Sequence, residues 1–182
     1  MKVTLLSYTK DPEVTCAKCA SVSWRRKGMK EISPDEARRI IGRVLRYGLE
    51  SVIENACFPF FAEGISRGLT HQLVRHHIAS STQQSMTYVD LTKARKYSIR
   101  PKSISENEEL VTLFDDVMAK CKSTYDISGK TGIPSEDSRF VWPIGSQTKI
   151  AVAMNARQLR HFFATRFCLR AQWEIRQLAK EA

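Results

Sequence analysis

An α+β fold is what the chain predicts, on three observations. A weakly alternating segment opens it, short apolar runs of strand length recur at 56–62 and 149–154, and stretches with helix-start chemistry lie between them. These imply a single domain over residues 1–182, a mixed or antiparallel sheet packed by helices, and a long C-terminal helix. A chain of 182 residues can bury one sizeable core.

The elements follow in order. Residues 1–8 read as the first strand. Ser33-Pro34-Asp35-Glu36 reads as a helix start, because Ser33 can cap, Pro34 suits the first turn and Glu36 sits at the capping-box position. That helix is expected to run to Tyr47 and stop at Gly48. Residues 56–62 form an apolar, aromatic strand, and 64–75 a helix. Ser105 and Glu108 make a second capping box for a helix to about Tyr125. Pro134 starts a short helix that stops near Pro143, 149–154 is a strand, and the last helix runs from Asn155 to the C-terminus. Internal repeats and low-complexity segments are absent from the sequence.

Composition narrows the function. An apolar share of 42% is that of a globular protein. No apolar run is long enough to span a bilayer, and the first residues are too β-like for a signal peptide, so a cytoplasmic location and no membrane partner are expected. The net charge of +10 calls for anionic partners such as phosphorylated small molecules or nucleic acid. Among the 5 cysteines, Cys16 and Cys19 form a CxxC that lacks a second pair at zinc spacing, so they read as reduced thiols on a buried helix and no metal is expected.

The chemistry concentrates in two blocks. Arg75-His76-His77-Ile78-Ala79-Ser80-Ser81-Thr82-Gln83-Gln84-Ser85-Met86-Thr87-Tyr88 joins a basic triplet to hydroxyls and carboxamides, with little apolar content. Such a segment is ill suited to a core and well suited to hold phosphate and sugar. Gln72, Arg75 and His76 are spaced to share one helix face. In the C-terminal helix, Leu159, Phe162, Phe163, Leu169 and Trp173 fall on one broad arc at about 100° per residue, Arg166 and Arg170 project into it, and His161 lies opposite with Arg157. Cations on an apolar face need an anionic ligand or partner. Polar stripes on opposed sides suggest a helix covered on both, which favours an oligomer.

The first block closely resembles the signature of the flavin-dependent thymidylate synthases, an RHR triplet followed by spaced serines and an arginine. The stretches Gly64-Ile65-Ser66-Arg67, Thr70-His71-Gln72-Leu73-Val74-Arg75-His76, Gly132–Arg139 and Asn155-Ala156-Arg157 through Ala171-Gln172-Trp173-Glu174 are similar to further blocks of that family. The resemblance implies reductive methylation of deoxyuridine monophosphate (dUMP) to dTMP. Methylenetetrahydrofolate would give the carbon, and reduced FAD, itself reduced by NADPH, the hydride. It further implies that Arg75, His76, Ile78, Asn155 and Arg157 hold the flavin, with His77 at the place of the second arginine; His161, by its proximity in sequence, could add a flavin contact from the helix. Gln72, Gln83, Ser85, Arg139 and Arg166 would bind dUMP, with Arg166 as the catalytic residue, polarising the pyrimidine ring. No cysteine nucleophile is implied. The family assembles as a homotetramer whose sites are shared between subunits.

Several positions depart from the pattern. His77 and Thr87 replace arginines, Met86 is larger than usual, Asn55 stands where a histidine is common, and Arg170 replaces a histidine. Lys93, Arg95 or Lys96 could then supply the phosphate cation that Thr87 lacks. These departures leave open a related pyrimidine nucleotide methylase or hydroxymethylase with altered substrate. A catalytically reduced paralogue binding nucleotides or nucleic acid ranks last, because the basic clusters lack interleaved aromatic residues.

Overall fold

The computed structural model describes residues 1–26, 31–89 and 97–182. Lys93, Arg95 and Lys96 lie outside the described residues. Two discontinuous compact units emerge. The first holds Met1, Ala62–Leu73 and Thr82–Ile150; the second holds Lys2–Phe61, Val74–Ser81 and Ala151–Ala182.

The strands are β1 (Lys2–Leu5), β2 (Cys57–Ser66), β3 (Ala79–Gln83) and β4 (Gln147–Asn155), in one antiparallel sheet of order β1-β2-β4-β3. Register is set by bonds such as Leu6 N–H to Pro59 C=O, Ala156 N–H to Ala56 C=O and Gln84 N–H to Lys149 C=O. In β4, Thr148, Ile150, Val152 and Met154 are buried in strict alternation, the period expected of a pleated strand. The polar segment 79–83 proves to be a strand, largely exposed along its length, where sequence pattern suggested none.

In the second unit, α1 (Pro12–Ser21) and α2 (Pro34–Arg46) pack with a 3-10 helix at Glu50–Asn55. Ser33 accepts the N–H of Glu36 at 3.2 Å, as the sequence anticipated, and Gly48 takes the left-handed turn (φ 74°) that favours glycine there. Cys16, Ile53 and Ala56 form a small core with Ile41, Leu45, Phe58 and Ala156 against it. Cys19 on the same helix is exposed.

The first unit contains α3 (Arg67–Leu73), α4 (Lys102–Ser105), α5 (Glu108–Lys130) and α6 (Ser135–Ser138). Two expected starts move. The helix read from Gly64 begins at Arg67, because 64–66 continue β2 and Ser66 Oγ accepts the Leu69 N–H at 3.0 Å. For α5 the cap is Asn107, which accepts from Leu110 N–H at 3.1 Å, while Ser105 donates to the Pro101 carbonyl.

The expected long C-terminal helix is two helices, α7 (Ala156–Arg166) and α8 (Trp173–Glu181). Gln158 and Phe162 are buried on α7; Glu174, Ile175, Leu178 and Ala179 are buried on α8. Continued at about 100° per residue, one helix would set Ile175 and Leu178 roughly opposite Phe162. The break at 167–172 lets both stripes be buried, and Gln172 caps α8 by accepting from Glu174 and Ile175 N–H. The single apolar arc fails with it: Leu169 is 86% and Trp173 40% exposed.

Candidate active site

Within the second unit, a cavity of about 830 Å³ is lined by Arg75, His76, His77 and Ile78 and, from α7, by Arg157, Arg160, His161 and Arg166, with Glu50 its one carboxylate. Two blocks far apart in sequence therefore meet. The expected opposition of His161 and Arg166 does not hold, since both open on this cavity.

His76 is the pivot. Its ring is 7% exposed and stands edge-on to Phe162, with centroids 5.1 Å apart. Nε2 accepts from Arg166 Nε–H at 3.1 Å, and Nδ1 lies 3.1 Å from the Gln158 amide. Burial, then the charges of Arg166, His161 and His77, push the imidazole pKa down to about 4. The ring is neutral at pH 7, and both its nitrogens are engaged.

Arg157 is braced by Glu54, an interaction that raises its pKa, and lies 3.6 Å from Glu50. Arg160 pairs with Glu50 at 3.3 Å. Arg75 and His77 are exposed, and no described side chain pairs with them. Asn155 is the N-cap of α7, its Oδ1 accepting the Gln158 N–H at 2.8 Å, and it does not line the cavity. An anionic, aromatic ligand suits this wall, since Arg75, His77 and the terminal nitrogens of Arg166 keep donors to spare. Such a chemistry fits the pyrophosphate and ring system of a flavin dinucleotide. Asn55 is exposed and its amide donates to Val52 C=O at 3.0 Å; Arg170 is exposed too.

Polar residues of the first unit gather around α3. Gln83 Nε2–H donates to Thr70 Oγ at 2.8 Å, and Arg67 donates to the Gln84 carbonyl at 2.8 Å. Ser85 Oγ accepts the N–H of Thr87 at 3.0 Å and of Tyr88 at 3.1 Å, a turn that leaves its own O–H to donate. Arg139 is exposed, its Nε–H donating to Glu136 C=O at 3.0 Å; burial, and then the Arg139 charge, lower the pKa of Arg67. Gln72 is half-buried on α3.

A family model, that of the thymidylate synthase complementing protein, matches residues 4–182. The chain belongs to this family. It is 44% identical to a flavin-dependent thymidylate synthase of Pyrococcus furiosus, over 98% of this chain and 76% of that protein. A synthase of the same name from Geobacter sulfurreducens is 43% identical over 100% of this chain and 80% of its own length. The fold matches the crystal structure of thymidylate synthase X from Helicobacter pylori, solved with FAD and dUMP, at a TM-score of 0.81. That match has 22% identity and covers 100% of this chain and 91% of the other.

Sequence reasoning missed Glu50, Gln158 and Arg160 on the cavity wall, Glu54 behind it, and Arg67 and Thr70 in the first unit. Arg160 had a signal, since it stands three residues after Arg157 on a helix and so shares its side. The others carried none: their roles depend on partners distant in sequence.

Proposed function

We propose that this chain is a flavin-dependent thymidylate synthase, converting dUMP to dTMP with methylenetetrahydrofolate as carbon donor and NADPH as the source of reducing equivalents. The observation that carries the reading is the cavity itself, where the Arg75-His76-His77-Ile78 block and the Arg157 to Arg166 block line one cationic space. Bound FAD supplies the hydride that reduces the transferred carbon.

The chain's own residues bind and polarise. Arg75 and His77 would hold the cofactor's phosphates, with Arg157, braced by Glu50 and Glu54, lining the same space; the Ile78 backbone and His161 would meet its ring system, while His76 spends both ring nitrogens on Arg166 and Gln158. Asn155 acts by starting α7 where Arg157 and His161 can reach the cavity. Arg166 grips the pyrimidine and stabilises negative charge that develops on it, a role a permanently charged planar fork performs well. Taken by themselves, Gln72, Gln83, Ser85 and Arg139 of the first unit are the proposed dUMP-binding residues there, the Ser85 O–H and the Arg139 guanidinium being suited to phosphate.

We further infer that residues 1–182 act as one catalytic domain in a homotetramer whose sites draw on several subunits. Phe163 and Phe167 stack at 5.3 Å, and Phe167, Leu169 and Trp173 are exposed, apolar surface of the kind that assembly covers. No helix among the described residues is long and apolar enough to cross a membrane, and the substrates proposed are those of the cytoplasm.

Mass spectrometry of the nucleotide product tests the reaction. Incubation of the purified chain with dUMP, methylenetetrahydrofolate, FAD and NADPH is expected to give dTMP. A hydroxymethyl nucleotide would move the chain to the related hydroxymethylase, and unchanged dUMP would overturn the reading.

A further inference from the structure

A neutral imidazole offers one N–H and one lone pair, so its two neighbours must be one acceptor and one donor. The Nε–H of Arg166 can only donate, and it points at His76 Nε2 from 3.1 Å. Nε2 is therefore the lone-pair side, and the proton sits on Nδ1. The atom of Gln158 nearest to Nδ1, at 3.1 Å, is its amide nitrogen, which would set a donor against a donor. Half a turn about the last side-chain bond exchanges that nitrogen for the amide oxygen without changing the shape of the residue. Gln158 is itself only 5% exposed, so its amide needs hydrogen-bond partners, and the His76 ring nitrogen is the one within reach.

We propose that Gln158 is a positioning residue: its Oε1 accepts Nδ1–H of His76, fixing the tautomer whose Nε2 holds Arg166 at the cavity. The chain of contacts is Gln158 to His76 to Arg166; all three line the cavity, and Arg166 is the one that brings charged donors to it. Because Nε is the atom held, the two terminal nitrogens of Arg166 stay available as a fork. Protonating His76 would put an N–H against an N–H and release the guanidinium.

The surrounding charges oppose that protonation. Arg157, Arg160, His161 and Arg166 on α7 line the cavity wall, as do Arg75 and His77 beside the ring, and the one carboxylate, Glu50, is engaged by Arg157 and Arg160. Burial acts in the same direction. The consequence for turnover rests on the role proposed for Arg166, whereas the tautomer does not.

The test is nitrogen-15 NMR of the full chain labelled at histidine, without flavin, with H76N used to assign the His76 signals among the 4 histidines. The expected result is a protonated Nδ1 and a bare Nε2 across neutral pH. In Q158E the carboxylate still accepts from Nδ1, so the tautomer is kept while the titration midpoint rises by a unit or more. In Q158L the acceptor is gone, and the signal is expected to move toward a mixture of tautomers, with kcat at least ten-fold lower. The acid limb of the pH–rate profile should move up in Q158E alone. A proton on Nε2 in the wild type, or a Q158L spectrum identical to it, would overturn the proposal. If Q158L does not fold, an unmoved midpoint in Q158E overturns it equally. Failure to make dTMP would refute the reaction and leave the NMR result standing.

Discussion

The cavity beside α7 and the polar cluster around α3 are both rich in arginine, yet they spend their hydrogen bonds differently. Around α3, Arg67 donates to a backbone carbonyl, Gln83 to Thr70, and Arg139 to its own turn. Each fixes local backbone or a neighbouring side chain. Beside α7, Arg166 is held by a single Nε contact to a neutral ring, and Arg75 and His77 have no paired partner among the described residues. Only Arg157 and Arg160 are neutralised, by Glu50 and Glu54. Cations left with unused donors beside a cavity imply an anionic ligand; cations that buttress backbone imply a shaped rim. The difference separates residues whose loss removes chemistry from residues whose loss loosens geometry.

Replacing Arg166 should break the comparison most sharply. Arg166→Ala is expected to lower kcat by 10²-fold or more, roughly the effect of losing one preorganised donor to a developing charge. Its circular dichroism melt should stay near that of the wild type, because Arg166 is only half-buried. Activity within a few-fold of the wild type would remove the role assigned to it. In the first unit the sharper test adds charge. Thr87→Arg restores a cation beside the Ser85 turn, and one charge-assisted bond of about 1.5–3 kcal/mol should tighten dUMP about ten-fold or more by isothermal titration. Unchanged affinity would mean that the phosphate is held elsewhere.

His76 links the cavity to stability. Unfolded, its imidazole takes up a proton near pH 6.5; folded, burial and neighbouring cations hold it neutral down to about 4. The unfolded chain thus binds more protons in that window. The contribution is fully present above about 6.5 and is lost as pH falls toward 4. Urea midpoints measured at pH 7.5 and pH 5 should therefore drop less on acidification in His76→Asn than in the wild type. Equal drops would show that the ring titrates normally. The smallest effect concerns Asn155. As the cap of α7, its loss in Asn155→Ala should cost about 1 kcal/mol, while Asn155→Asp keeps the cap. A flavin affinity that collapses in Asn155→Asp with stability unchanged would instead indicate direct contact with the cofactor.

What could be read in advance was local chemistry and strict periodicity. Ser33, Pro34 and Glu36 fixed the start of α2 because a cap is a contact between near neighbours. The alternation in β4 needed only a period of two. The break after Arg166 was not legible, since neither Gly nor Pro marks it and the cause is tertiary: two buried stripes on opposite sides of one continuous helix. β3 escaped notice because Ala79-Ser80-Ser81-Thr82-Gln83 has one β-branched residue and an exposed face. Much the same division runs through the site. Arg75, His77, Arg157 and Arg166 stood out as cations in polar or amphipathic contexts. Glu50, Glu54 and Gln158 did not, because an acid or amide acquires meaning only from the partner folded against it.

Visible absorption of the purified chain during titration with FAD, followed by dUMP, addresses the central claim most directly. The flavin bands are expected to shift and saturate on binding, then shift again when the nucleotide is added. Free-flavin spectra at every concentration, with no response to dUMP, would contradict a flavin site in the cavity beside α7 and the synthase reading with it.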